Sequence, residues 1–168
     1  MDMTIVSLII SGLAFLLALA ALIKISRGAV TGKNNEHSFE TTRMRLQAYE
    51  RLVLLVERIA LPNLISRLNK PGISSYEMKE ILTDNIKQEF EYNNTQQLYV
   101  SQSSWDAVRN LKEQNILVVN KVAASLPRDA SATELNKKIL EILMSQPSGP
   151  IHELVLEALN GEAKKLMR

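Results

Sequence analysis

Residues 45–68 read RLQAYERLVLLVERIALPNLISRL. Leu46, Tyr49, Leu52, Val53, Val56, Ile59 and Ala60 recur at steps of three and four. That is the period at which side chains return to one face of an α-helix. A strand would alternate at period two, and no stretch of the chain sustains that pattern. The spacing predicts a helix over about residues 39–61. Pro62 has no N–H to donate, so it ends or kinks this helix. Residues 63–69 continue as a short helical piece, and Lys70-Pro71-Gly72 stops it.

The same stretch carries a second, narrower seam. Leu54, Leu61 and Leu68 repeat every seven residues off the main stripe, between an acidic column (Glu50, Glu57) and a basic one (Arg51, Arg58). An apolar seam edged by opposite charges suits a partner helix. Glu50, Arg51, Leu54, Arg58 and Leu61 are therefore the candidate partner-binding residues. The competing reading is that this seam lies under the C-terminal helices and is core.

Toward the C-terminus every segment reads as helix. Ser74 with Glu77 has the spacing of a capping box, opening a helix to about residue 94 or 97 with Met78, Ile81, Leu82, Ile86 and Phe90 inward. Residues 99–102 read as a turn or a short extended connection. A third helix starts near Ser103, capped by it, with Trp105, Val108, Leu111, Val119, Val122 and Leu126 inward, and Pro127 ends it. Ser131 with Glu134 repeats the capping box and opens a fourth helix to about residue 145. Pro150 suits the first turn of a fifth, with Ile151, Leu154, Val155, Ala158 and Leu159 on one face and Asn160-Gly161 at its end. The expected body, residues 39–168, is an all-α bundle of about three long helices with a C-terminal helical hairpin across it.

Toward the N-terminus the character changes. Residues 4–23, TIVSLIISGLAFLLALAALI, contain no charge. At about 1.5 Å per residue this run spans roughly 30 Å, the thickness of a bilayer's hydrocarbon. Only Met1-Asp2-Met3 precedes it, without the basic start of a signal peptide. The expectation is a transmembrane anchor over residues 1–25 and a flexible juxtamembrane linker over 26–38. Lys24, Arg27, Lys33, Arg43 and Arg45 follow the run and Asp2 precedes it, which places the N-terminus outside and the body in the cytoplasm. Lys24, Arg27 and Lys33 are candidates for lipid headgroup contact. Ser7, Ser11, Ala14, Ala18 and Ala21 form a seam of small residues, the candidate surface for self-association in lipid.

Composition narrows the function classes. The chain has 168 residues, a net charge of +2, no cysteine and two histidines. Scattered charge gives no nucleic-acid tail. Neither His37 nor His152 has a partner at ligand spacing, so no metal site is expected. Glycine-rich phosphate loops and nucleophile elbows are absent from the sequence, so no catalytic residue and no cofactor is expected. The carboxylate pairs Glu77/Glu80 and Glu89/Glu91 lack the histidines of a di-metal bundle and read as solvated. A small-ligand pocket would require Glu57, Gln97 and Trp105 to converge.

Residues 45–68, together with QEFEYNNTQQLYVSQSSWDAVRNLKE over 88–113, resemble a bacterial family of unknown function: short single-pass membrane proteins with a helical cytoplasmic body. Tyr49-Glu50-Arg51-Leu52, Glu57-Arg58-Ile59, Glu89-Phe90-Glu91, residues 97–100 and Trp105 carry the resemblance. It implies a fold and a topology and no activity, and the expected location is the inner membrane. The functional expectation is a non-enzymatic, membrane-anchored interaction or scaffold protein that binds a cytoplasmic protein or a second copy of itself. The alternatives are an accessory subunit of a larger membrane complex recognised through its span and, less favoured, an enzyme or small-ligand binder.

Overall fold

A helix that breaks leaves backbone groups without partners, and one such break organises this molecule. The computed structural model describes residues 39–145 and 150–167. The chain divides into two units, Met1–Arg43 and Met44–Arg168. Residues 39–59 are helical (α1). Ala60 then turns to extended backbone, with φ −55° and ψ 121°, and α2 runs over Leu61–Leu68 with Pro62 in its first turn. The interruption thus falls at Ala60, ahead of the proline. There Pro62's missing N–H costs nothing, because a helix's first N–H groups have no intrahelical partner.

The carbonyls at the end of α1 are met by side chains. Asn63 Nδ2 donates to the Glu57 carbonyl at 3.1 Å, Arg67 Nη2 to that of Arg58 at 3.3 Å, and Asn115 Nδ2 to that of Ile59 at 2.8 Å. In an unbroken helix those three oxygens would accept from residues 61, 62 and 63. The Ile59–Asn115 bond is buried, and an unmet buried carbonyl there would cost about 1–3 kcal/mol.

Beyond α2 come α3 (Ser75–Tyr92), a 3-10 turn (Asn94–Leu98), α4 (Gln102–Ser125), α5 (Ala132–Met144) and α6 (Ile151–Leu166). No strand occurs among the described residues, and the fold is all-helical. Both expected capping boxes form, with Ser74 accepting from Glu77 and Ser131 from Glu134. They are also joined. Ser75 N–H donates to the Ala130 carbonyl at 2.9 Å and Ala132 N–H to that of Ile73 at 3.0 Å, an antiparallel bridge that starts α3 and α5 side by side.

The core gathers Tyr49, Leu52, Leu55, Val56 and Ile59 of α1 with Met78, Leu82 and Ile86 of α3, Trp105 to Val122 of α4, and Leu135 and Ile139 of α5. Leu55 was not on the expected stripe. It is buried while Leu46 and Val53 are half-buried, because α1 is flanked on more than one side. Leu61 is 2% exposed and belongs to the core, so the seven-residue leucine seam does not continue as a surface past Leu54. The break at Ala60 redirects α2 and turns Leu61 inward.

Three further expectations change. The cap of α4 is Ser101, whose side chain accepts from Ser104 N–H, and not Ser103. Pro150 is the residue before α6, and the helix runs through Asn160-Gly161 to Leu166. Val155 and Leu159 are its buried residues, Ala163 and Leu166 extend that stripe, and Ile151, Leu154 and Ala158 stay exposed. Packing along this stripe outweighs the roughly 1 kcal/mol that a helical glycine costs. The C-terminal helices do not form a hairpin closed on itself: α5 packs on α3, α4 and α2, and α6 packs on α4.

Candidate functional site

The helix directions follow from a few contacts. Tyr49 meets Ser101 and Ile59 meets Asn115, so α1 and α4 run in parallel. Arg58 meets Glu89, and α3 runs back along α1. Phe90 lies on Trp105 with ring centroids 5.0 Å apart, and Lys112 Nζ sits 4.6 Å from the centroid of the Phe90 ring. These aromatic groups fix how α3 meets α4.

Between α1 and α3 lies an open groove of about 500 Å³. Arg51, Leu54, Leu55 and Arg58 line one wall and Gln88, Glu89, Tyr92 and Asn93 the other. Leu54 is 56% exposed and Tyr92 76% exposed, an apolar floor open to solvent. Arg58 holds one oxygen of Glu89 through Nη2 at 2.6 Å and Nε at 2.8 Å, and Arg67 Nη2 approaches the same oxygen at 3.8 Å. Arg67 is itself held by Asn85 Oδ1 at 2.8 Å. Two guanidinium groups around one carboxylate leave this rim positive. Arg51 has no hydrogen-bond or ion-pair partner among the described residues.

Three of the five candidate partner residues, Arg51, Leu54 and Arg58, therefore come together, and Glu50 is exposed on the same helix. Leu61 is the exception, being core. The opposite wall comes from α3, whose antiparallel packing brings Gln88 and Tyr92 opposite Leu54. The span residues Ser7, Ser11, Ala14, Ala18 and Ala21, the cations Lys24, Arg27 and Lys33, and the linker over 26–38 lie outside the described residues. Among the described residues no helix is long and apolar enough to cross a membrane.

The small-ligand arrangement does not form among the described residues. Glu57 is taken by Asn63 Nδ2 at 2.9 Å, Gln97 donates to the Asn94 carbonyl at 3.0 Å, and Trp105 is buried. The carboxylate pairs are also apart in role: Glu77 caps α3, Glu80 pairs with Lys79 and Glu89 with Arg58. No group of three potential metal ligands occurs among the described residues.

The serines that precede Trp105 gather around one tyrosine. The buried Tyr49 hydroxyl accepts from Ser101 N–H at 3.1 Å and lies 3.4 Å from Ser101 Oγ and 3.5 Å from Ser104 Oγ. Burial raises the phenol's pKa, but the bonds from Ser101 and Ser104 together outweigh it and the net shift is downward. Among the described residues no imidazole or carboxylate joins this cluster by a hydrogen bond, and its hydroxyls cap α4 and dock α1.

The chain belongs to a family of unknown function, DUF7935, whose pattern matches residues 1–166. That pattern takes in the N-terminal apolar run as well as the helical unit. No curated protein and no solved structure matches the chain.

Proposed function

We propose that this member of the family is a non-enzymatic, membrane-anchored interaction protein. Residues 4–23 span the inner membrane with the N-terminus outside. The helical unit in the cytoplasm docks a partner protein in the α1–α3 groove. The observation that carries the reading is the convergence of Arg51, Leu54 and Arg58 with Tyr92 in one groove. Leu54 and Tyr92 supply the apolar contact, and the guanidinium of Arg51 beside it, unpaired among the described residues, suits an acidic residue of an amphipathic partner helix.

A photo-crosslinker at position 54 in native membranes, followed by mass spectrometry, tests this. The expected result is one dominant adduct that is absent with the probe at Leu117, an exposed residue of α4. Equal, diffuse labelling from both positions overturns the groove. Replacing residues 4–23 by an unrelated span of equal length separates this reading from recognition through the span itself. Loss of the adduct after the swap favours the span and the small-residue seam within it.

A further inference from the structure

The complement of the α1–α3 groove is an apolar side chain with an acid beside it. Leu54 and Tyr92 are the groove's exposed apolar groups, and Arg51 stands next to them with no ion-pair or hydrogen-bond partner among the described residues. The outer face of α6 carries that complement. Val155 and Leu159 belong to the core, while Ile151 and Leu154 stay 40% and 53% exposed. Three residues apart, these two share one side of the helix. Glu153 and Glu157 are exposed beside them, and neither carboxylate has an ion-pair or hydrogen-bond partner among the described residues. Ala158, also exposed, follows Leu154 by one turn and is too short to hold a neighbouring helix away.

We propose that the occupant of the groove is α6 of a second copy of this chain, an inference that rests on the docking role given to the groove above. The register supports it. Arg51 precedes Leu54 by three residues and Leu154 precedes Glu157 by three, about 4.5 Å along each helix. With the two helices antiparallel, Leu154 meets Leu54 where Glu157 meets Arg51, so the apolar contact and the ion pair form together. The surrounding charge agrees. Arg58 and Arg67 share the single carboxylate of Glu89 on the groove's rim, and the first two turns of α6 hold Glu153 and Glu157 without a Lys or Arg. Within one copy the two surfaces are separate: α1 and α3 line the groove, whereas α6 packs on α4. The contact is therefore head-to-tail. A copy that fills its neighbour's groove still offers its own, and the assembly extends until a ring closes. One helix face covers less than the ~800 Å² per partner of a stable interface, so each contact is weak and is best read by trapping it covalently.

The chain has no cysteine, so single cysteines report single contacts. Two full-length copies with different tags, one Leu54→Cys and the other Leu154→Cys, are co-expressed and joined by a short bismaleimide. Both positions are exposed, so neither change empties the core. The expected result is a 54–154 adduct carrying both tags, several-fold above the yield from Leu117→Cys with Leu154→Cys. Arg51→Glu in the first copy should lower that adduct about threefold, and Glu157→Arg in the second should restore it. A 54–154 yield no higher than that of 117–154, or a charge reversal without rescue, overturns the inference. A 54–54 adduct in preference to 54–154 overturns it in favour of a symmetric pair. The photo-crosslinker at position 54 reports on the groove separately. A dominant adduct of the chain with itself supports both readings. A dominant adduct with a different protein removes the second copy and leaves the groove standing, and diffuse labelling removes both.

Discussion

At the starts of α3 and α5 the free backbone groups are met by residues three positions away. At the end of α1 they are met by Asn63, Arg67 and Asn115, the last of them 56 positions from the carbonyl it serves. Both junctions solve the same problem of helix termini. The first solution is local and half exposed, and the second is distant and partly buried. Local caps set where a helix begins. The distant ones tie α1 to α2 and α4, so the α1–α2 junction holds the tertiary arrangement on which the groove depends.

The comparison breaks first at Leu61. Leu61→Ala is expected to cost about 2–5 kcal/mol in urea unfolding of the full chain, since it empties a core position at the junction. Leu54→Ala, seven residues earlier on the same apparent seam, stays within about 0.5 kcal/mol. Equal effects at the two positions would show that the seam is one surface after all.

Asn115→Ala comes next. It leaves the Ile59 carbonyl buried without a donor, and a loss of about 1–3 kcal/mol is expected. Hydrogen exchange of the last turn of α1 should quicken with it, while α5 stays protected. Ser74→Ala and Ser131→Ala follow at about 1 kcal/mol each by thermal unfolding.

The smallest effect is electrostatic. Backbone and hydroxyl bonds from Ser74 hold the Glu77 carboxyl below its usual 4.5, and Ser131 does the same for Glu134. A depressed carboxylate contributes stability above its unfolded pKa and loses it as pH falls through the lowered folded value. Stability should therefore decline between about pH 5 and the acid side of that folded value. The double Glu77→Gln, Glu134→Gln variant should show a shallower acid slope in the same urea titrations, and an unchanged slope would remove these caps as its source.

The same contrast explains what was legible beforehand. Ser74-Glu77 and Ser131-Glu134 are patterns within four residues, and both formed as read. With residues 99–102 reading as a turn, Ser103 is the cap that the sequence offers α4, but Ser101 takes that place, where it also meets Tyr49. Asn115 sits among apolar residues of α4 with nothing in its neighbourhood to mark it as the partner of Ile59. Gly161 looked like a helix stop, yet the stripe of Val155, Leu159, Ala163 and Leu166 on α4 carries the helix through it.

Periodicity, proline and capping spacing were enough to determine that this chain is all-helical and where most of its helices begin. They also set apart the charge-free run of residues 4–23, because apolar length is a property of sequence alone. The choice between Leu54 and Leu61 was left to the tertiary structure. Both occupy the same place in a seven-residue repeat, and which one water reaches depends on the turn at Ala60 and on the helices that close over it. The groove is likewise a product of packing, since Tyr92 faces Leu54 only when α3 runs back along α1.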